Sequence, residues 1–342
     1  MLEGGISDNY TYYCLLASRV ALQASGRGTT FLELSAIALG AHPLPIPPIP
    51  EQHAITEYLD EHCDKLDLLI AKKRGLIEKL REKRSALISQ TVTRGLPPEA
   101  ARAAGLNPLP NLKPSGVEWI GDIPEHWQLL SIGRIASEIQ TGPFGAQLHQ
   151  RDYIDDGIPL INPIHLRDEG IVADDQDTVS EGTADRLARY QLNSGDIVFA
   201  RRGDIGRCAL VSDRESGWLC GTGSMIVRLG KGDPQYFARV FRSTGFAGRL
   251  ELNAVGTTML NLSPAIIGKM TVPLPPDTEQ HSITAFIDLE VGKIDRLIQR
   301  VEQAIARLSE YRTALITAAV TGKIDVREAV SAGAPAALAA EG

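Results

Sequence analysis

The sequence has few cysteines and no long apolar run. None of its 342 residues lies in an apolar stretch approaching the roughly 20 residues of a membrane-spanning helix, and we expect no secretory leader. The four cysteines, Cys14, Cys63, Cys208 and Cys220, have no metal-ligand spacing. We therefore expect reduced, buried thiols in a cytoplasmic protein without a metal site.

The sequence also lacks the motifs of common catalytic sites. It contains no Gly-x-x-x-x-Gly-Lys-Ser/Thr phosphate loop and no glycine-rich turn suited to a nucleotide. Asn-Pro-Ile-His at 162–165 is similar to the Asn-Pro-Pro-aromatic motif of amino-group methyltransferases, but the second proline and the aromatic residue are missing. His53 and His281 occupy equivalent places of an internal repeat, which favours a structural or docking role. We predict that the chain has no catalytic residue.

The sequence does contain a long internal duplication. Residues 28–93 recur as residues 256–321 at a constant offset of 228, with 29 identities in 66 positions and no gap. A unit that recurs only once, at so wide a period, does not indicate a solenoid. It indicates two equivalent places in one molecule.

Each copy of the repeat ends in a segment with a helical pattern. A proline-rich turn is followed by about 43 residues without another proline, and apolar residues recur at the heptad spacing of a coiled coil. In the first copy these are Leu59, Leu66, Leu80 and Leu87, with Cys63, Ile70 and Ile77. In the second they are Ile287, Ile294, Val301, Leu308 and Leu315, with Val291, Ile298 and Ile305. We expect two helices of roughly 60 Å that pack antiparallel, because the long middle segment lets the second return along the first.

The segment between the helices is rich in predicted strands. Polar and apolar residues alternate over 195–200, 208–211 and 224–229, and glycines separate these stretches. Helical patterns occur near 183–190 and 234–243. The predicted fold class is therefore α+β, with one substantial globular segment besides the helices.

Several motifs together resemble the specificity subunit of type I restriction-modification systems. They are Trp-Ile-Gly-Asp-Ile-Pro-Glu-His-Trp at 119–127, Gly-Asp-Ile at 195–197, Arg-Gly-Asp-Ile-Gly at 202–206, Gly-Thr-Thr at 256–258, and Pro-Leu-Pro-Pro with Glu-Gln before the second helix. The resemblance covers about residues 8–326. It implies a non-catalytic DNA-binding chain with one complete α/β target-recognition domain and two long helices that form an antiparallel coiled coil.

The resemblance divides the chain into six segments. They are a remnant of the end of a first target-recognition domain at 1–48, a first conserved helix at 49–95, a linker at 96–115, a complete target-recognition domain at 116–276, a second conserved helix at 277–326, and a disordered tail at 327–342. The first segment is assigned because the sequence from Tyr12 to Ser18 resembles that from Tyr236 to Ser243. We expect most of a first recognition domain to be missing.

The resemblance implies macromolecular partners and no cofactor on this chain. Double-stranded DNA is expected at the recognition domain, two modification subunits on the helices, and restriction subunits in the full complex. S-adenosylmethionine is expected on the modification subunit. Two chains could also associate through their helices and read an interrupted palindrome. Two alternatives stay open: a remnant that binds modification subunits without reading a full site, and the recognition half of a fused methyltransferase-nuclease.

DNA contacts are predicted on the loops of the central domain. The net charge of −7 describes the whole chain and is compatible with a local basic face. Arg201, Arg202 and Arg207 lie on a glycine-bearing loop after a predicted strand, where guanidinium groups could bind guanine or phosphate. Turn capping or a surface ion pair is the alternative for each remaining candidate. These candidates are Phe144, Gln147, His149, Asn162, His165, Thr222, Ser224, Thr257, Thr258 and Asn261.

Overall fold

Both predicted long helices are present in the computed structural model, which describes residues 5–26, 33–167, 170–254 and 261–326. The fold is mixed α+β, as predicted. The helices of the described residues are α1 Asp8–Ala17, α2 Arg19–Ala24, α3 Ala36–Gly40, α4 Ile49–Arg94, α5 Pro98–Ala103, α6 Ile132–Ile135, α7 Glu181–Arg186, α8 Pro234–Phe241, α9 Thr244–Asn253, α10 Pro264–Lys269 and α11 Asp277–Val320.

Most of the strands are short and lie between the long helices in the sequence. They are β1 Leu112–Pro114, β2 Asp122–Pro124, β3 Gln128–Ser131, β4 Ala136–Thr141, β5 Tyr153–Ile154, β6 Ile158–Ile161, β7 Leu166–Arg167, β8 Gly170–Ile171, β9 Thr178–Val179, β10 Ile197–Ala200, β11 Cys208–Leu210, β12 Leu219–Cys220, β13 Ser224–Leu229 and β14 Thr271–Leu274. The three strands that alternation predicts are β10, β11 and β13. The chain divides into unit 1, Met1–Leu80 with Asp295–Gly342, and unit 2, Arg81–Ile294.

The long helices begin and end at residues that break helices. Helix α11 starts directly after a proline pair, and the carbonyl of Pro276 accepts hydrogen bonds from the N–H groups of Glu279 and Gln280. Helix α4 ends before Gly95, which has a φ of 85° and donates its N–H to the carbonyl of Thr91. A residue with a side chain would be strained at that φ, so glycine sets this end of the helix.

In unit 1 the first part of α4 packs against the last part of α11. The shared core contains Leu59, Cys63 and Leu66 of α4 and Leu315, Ile316, Ala319 and Val320 of α11. An ion pair of 3.0 Å between Asp67 and Arg312 also joins the two helices. The start of one helix lies beside the end of the other, which confirms the predicted antiparallel packing.

Unit 2 contains two four-stranded sheets. One has the order β11-β10-β13-β4 and is antiparallel throughout. The other has the order β12-β6-β9-β5, in which only β12 and β6 are parallel. The first sheet shares a core with α8, α9 and the unit 2 parts of α4 and α11. The large buried side chains of this core include Trp127, Phe199, Tyr236, Phe237, Phe241 and Phe246.

The two copies of the repeat build the same hydrogen-bond arrangement around a buried glutamine. Gln52 donates from Nε2 to a carbonyl of the proline-rich turn (2.9 Å) and accepts from the N–H of Ser7 (2.9 Å). Gln280 makes the equivalent pair, to the second proline-rich turn and from Asp233, both at 2.7 Å. The sequence repeat is therefore also a repeat of buried polar contacts.

The N-terminal segment makes contacts equivalent to those around Tyr236, at a register other than the predicted one. The hydroxyl of Tyr10 lies 3.1 Å and 3.4 Å from the carbonyl oxygens of Pro45 and Val320. The hydroxyl of Tyr236 contacts the repeat equivalents of these two residues, at 3.4 Å and 3.1 Å. The predicted match of Tyr12 with Tyr236 is thus wrong by two residues. Its physical reason is burial: Tyr10 is 0% exposed and Tyr12 is 56% exposed.

The segment 96–115, predicted as a linker, contains regular structure. Helix α5 begins with Pro98 in its first turn, where the missing N–H of proline costs no hydrogen bond. Strand β1 pairs antiparallel with β2. The predicted tail at 327–342 lies outside the described residues.

All four cysteines are buried and free of disulfide bonds. Within the described ranges, no helix combines the length and apolar character that a membrane crossing requires.

Candidate nucleic-acid interface

Four loops of unit 2 meet at one edge of the two four-stranded sheets. Because β13 is antiparallel to both β4 and β10, its first residues lie beside their last residues. The parallel strands β6 and β12 end side by side. Backbone hydrogen bonds of 2.9–3.0 Å join the loops, from Gly142 to Ser224, Arg201 to Gly223 and Gly221 to Ile161. We name the loops 142–149, 162–165, 201–207 and 221–224 the polar edge.

Glycines allow these loops to approach closely. A Cβ on Gly142 would lie 2.0 Å from the carbonyl oxygen of Gly221. A Cβ on Gly221 would lie 2.2 Å from Oδ1 of Asn162, and one on Gly223 would lie 2.8 Å from Cδ of Pro163. These separations are far shorter than van der Waals contact, so a larger residue would push the loops apart. The polar edge is therefore a closely packed surface.

The first loop presents one aromatic side chain and uses its glutamine internally. Phe144 is 60% exposed. Oε1 of Gln147 accepts hydrogen bonds from the hydroxyl of Tyr190 (2.8 Å) and the N–H of Phe144 (3.3 Å), and Arg186 donates to the carbonyl of Gln147 (2.6 Å). His149 is exposed, and its N–H donates to Asp152. In this loop Phe144, Gln147 and His149 are all exposed, and Gln147 also fixes the backbone.

The second loop holds a buried histidine. His165 is 4% exposed, and its Nδ1 accepts a hydrogen bond from the N–H of Asn162 (3.0 Å). The proton of the neutral ring must then be on Nε2, which faces Oδ2 of Asp177 at 3.5 Å. Burial lowers the pKa of His165, and the charge of Asp177 raises it to a lesser extent. His165 is thus a neutral internal support and does not reach the surface.

The arginines of the third loop have different environments. Nε of half-buried Arg201 donates to the carbonyl of Leu262 (3.2 Å), and burial, followed by the charge of Arg202, lowers the pKa of its guanidinium group. Arg207 forms an ion pair of 2.5 Å with Asp204. Arg202 is exposed and has no hydrogen-bond or ion-pair partner among the residues that the structure describes. Only Arg202 of the three is free to bind a ligand without breaking an internal contact.

The remaining candidates also divide by exposure. Thr222 is partly exposed on the fourth loop. Ser224 is fully buried, and its Oγ has no hydrogen-bond partner in the described part of the chain. Oδ1 of half-buried Asn261 is likewise unpartnered there. Thr257 and Thr258 lie outside the described residues.

The structure adds one polar side chain, that of Asp177, to the candidate site, and sequence patterns do not indicate it. Asp177 lies in an acidic stretch and would be read as a solvated loop residue. Its Oδ2 accepts a hydrogen bond from Nδ2 of Asn162 (3.0 Å). The pairing of β9 with β6 brings these two residues together, and that pairing has no local sequence signal.

No group of three or more potential metal ligands occurs among the described residues. The polar edge instead combines hydrogen-bonding groups with one unpaired cation. Residues 3–79 and 124–307 match the family described as the type I restriction modification DNA specificity domain. The chain belongs to this family.

Two named specificity subunits match most of this chain. The type I restriction enzyme MjaVIII specificity subunit of Methanocaldococcus jannaschii is 23% identical over 94% of this chain and 71% of the relative. The type I restriction enzyme EcoBI specificity subunit of Escherichia coli is 24% identical over 94% of this chain and 67% of the relative. These names confirm the predicted resemblance and the prediction that the chain is of the specificity class, not the catalytic one.

Solved structures show the same fold. A chain from work on complex assembly and conformational transition of the type I R-M system gives a TM-score of 0.61 at 15% identity, covering 92% of this chain and 71% of that chain. The crystal structure of the HsdS subunit from Thermoanaerobacter tengcongensis gives a TM-score of 0.50 at 13% identity, with coverage of 93% and 71%. At these identities the likeness concerns the fold alone, and the individual DNA contacts stay predictions.

Proposed function

We propose that this chain reads a DNA half-site through the polar edge and docks two modification subunits on its long helices. S-adenosylmethionine would then be bound by the modification subunits, and restriction subunits would join the complete complex. The observation that carries the DNA-reading part is the meeting of four polar loops at one sheet edge, beside the unpaired cation of Arg202. Loops held by a rigid sheet are the usual carriers of recognition residues.

Arg202 is suited to a phosphate contact more than to base recognition. Its guanidinium group is exposed and held by no neighbouring side chain within the described ranges. Bidentate recognition of guanine requires a fixed orientation, whereas a mobile cation can bind phosphate in many orientations. Its contribution to binding should therefore be independent of DNA sequence.

Replacing Arg202 with Ala is expected to weaken DNA binding about equally for all sequences. The loss of one phosphate contact should lower the magnitude of the log-log salt slope by about 0.9. Fluorescence anisotropy with labelled duplexes over a range of salt concentrations measures both quantities. Arg134→Ala is the matched control, because this exposed arginine lies in α6, which precedes β4, whereas the polar edge follows the other end of that strand. An unchanged slope for Arg202→Ala would mean that the cation is only solvated.

The proposed docking surface is a stripe that occurs once on each long helix. Leu69, Lys72, Leu76 and Lys79 follow one face of α4, and their repeat equivalents Leu297, Arg300, Ala304 and Arg307 follow one face of α11. The leucines are 40%, 45% and 46% exposed, in the order of the chain, and none of the four cations has a partner among described residues. A face with alternating apolar and basic side chains fits an amphipathic partner helix with acidic residues. Two equivalent stripes support docking of two copies of one partner.

Reversing the charges of one stripe is expected to remove one modification subunit from the complex. Lys72→Glu with Lys79→Glu places like charges opposite the acidic partner face, which should weaken that contact at least about tenfold. Native mass spectrometry of the purified complex should then show one bound modification subunit in place of two.

The second stripe provides an internal comparison. Arg300→Glu with Arg307→Glu should have the same effect, and the quadruple variant should bind no modification subunit. The control is Lys231→Glu with Lys269→Glu, which reverses two exposed cations of unit 2. Retention of two subunits by both stripe variants would contradict the docking proposal.

A further inference from the structure

Asp177 lies at the polar edge because of strand pairing. It directly precedes β9, whose antiparallel partner β6 ends at this edge. The N–H of Leu160 in β6 donates to the carbonyl of Asp177 (2.8 Å), so the backbone at Asp177 is part of the sheet. Because its backbone is held in the sheet, the Asp177 side chain starts from a fixed position and can contact one defined position of a ligand.

The carboxylate of Asp177 is held through one oxygen and open at the other. Oδ2 accepts from Nδ2 of Asn162 at 3.0 Å, and Nε2 of buried His165 faces the same oxygen at 3.5 Å. Oδ1 has no hydrogen-bond partner among the described residues, and the side chain is 35% exposed. Oδ1 of Asn162 packs closely against Gly221, and this contact limits the movement of the Asn162 side chain. The arrangement leaves one oriented acceptor at the surface.

An oriented carboxylate distinguishes bases by their exocyclic groups. In the major groove cytosine N4 and adenine N6 are donors, whereas thymine O4 and guanine O6 are acceptors. An ionised carboxylate can only accept, so it binds the amino-bearing bases and repels the carbonyl-bearing ones. Its charge also weakens binding to DNA in general, which is a known way to gain discrimination at the expense of affinity.

We infer that Asp177 is a specificity-determining residue that accepts a hydrogen bond from the exocyclic amino group of one base in the target. Asn162 is a positioning residue that holds the carboxylate through its hydrogen bond, and the buried ring of His165 lies behind the same oxygen. This inference rests on the proposed reading of DNA by the polar edge. It assigns a base contact to a residue of an acidic segment and separates that role from the phosphate contact of Arg202.

The test uses the full chain assembled with its modification subunits. Mapping of methylated sites first gives the target, and duplexes with each base pair replaced in turn then give the base preference by fluorescence anisotropy. Asp177→Asn should reverse the preference at one position, since Oδ1 of the new amide can still accept from Asn162 while its NH₂ group points outward. Binding to the native base should fall about tenfold or more at that position, and a carbonyl-bearing base should become preferred. Preferences at all other positions should stay unchanged.

A second measurement changes the DNA base and compares the unaltered complex with the Asp177→Asn variant. Replacing cytosine by 2-pyrimidinone, or adenine by purine, removes only the exocyclic amino group from the duplex. The unaltered complex should lose about tenfold in affinity at the position assigned to Asp177, and Asp177→Asn should lose nothing further there. Asp175→Asn is the matched control, because it removes the same charge from an exposed side chain two residues away.

Three outcomes separate this inference from the proposed function. A uniform loss across all positions for Asp177→Asn would overturn the inference in favour of a structural role. An unchanged base preference for Asp177→Asn, together with weaker binding by Arg202→Ala, would overturn only the inference. If both variants bound DNA like the unaltered complex, the proposed DNA reading by the polar edge would fail as well.

Discussion

Replacing Ile70 with Asp is expected to lower the free energy of unfolding of unit 1 by about 3 kcal/mol or more. Ile70 lies in α4 on the heptad row that faces α11, and it is 7% exposed. The substitution buries a carboxylate at the contact between the helices, next to Asp67, which already pairs with Arg312, and burying a further charge there costs several kcal/mol. Urea titration followed by circular dichroism measures the change, and loss of helical signal should begin at lower urea concentration.

Two comparisons identify burial as the cause. Leu68→Asp introduces the same side chain two residues earlier, at a position 58% exposed, and should change stability by at most about 0.5 kcal/mol. Ile298→Asp in α11 should have an intermediate effect, because Ile298 is half-buried. Equal stabilities of Ile70→Asp and Leu68→Asp would contradict packing of this seam.

Replacing Gly221 with Ala is expected to disrupt the polar edge and weaken DNA binding at least about tenfold. The added Cβ would lie 2.2 Å from Oδ1 of Asn162 and 2.8 Å from the carbonyl oxygen of Ile161. Forced separation of packed groups typically costs about 1–3 kcal/mol of stability. Displacement of Asn162 also removes the hydrogen bond that holds Asp177. Thermal unfolding and anisotropy with labelled duplexes measure the two effects.

A matched substitution and a double variant control this prediction. Gly182 lies in α7, and apart from its chain neighbours and the backbone of its own helix no atom lies within 4 Å of the Cβ position, so Gly182→Ala should stabilise unit 2 by about 0.5–1 kcal/mol. Adding Asn162→Ala to Gly221→Ala removes the 2.2 Å contact and should restore part of the lost stability, because neighbouring substitutions couple. Normal stability and DNA affinity of Gly221→Ala would show that the loops can separate freely.

Local sequence patterns were sufficient to predict the long helices, several strands and the family. Heptad spacing and proline-rich turns are properties of adjacent residues, so they predict α4 and α11 without knowledge of the fold. The internal repeat predicts two equivalent places, and the structure contains them as the matching contacts of Gln52 and Gln280. The alignment of the N-terminal segment failed because Tyr10 and Tyr12 lie only two residues apart in the sequence, and their opposite burial is decided by tertiary packing.

Which side chains of the candidate site are accessible to a ligand was harder to predict from the sequence. Polar residues near turns indicate loops, but the same side chains can contact a ligand or support the loop from within. His165 and Ser224 are buried, and Arg201 and Arg207 bind neighbouring protein groups. Asp177 was missed because its partner Asn162 is 15 residues away on another strand.

The amino-acid sequence alone determined the two long helices, the duplication and membership of the specificity family, since these follow from periodicity and motifs along the chain. Tertiary structure decided which residues are accessible, because burial depends on segments that are distant in sequence. The repeat shows this directly. Leu34 and Leu39 are 37% and 44% exposed, whereas their equivalents Leu262 and Ile267 are fully buried in the core of unit 2. Equivalent positions of one repeat thus have different surroundings, and only long-range packing distinguishes them.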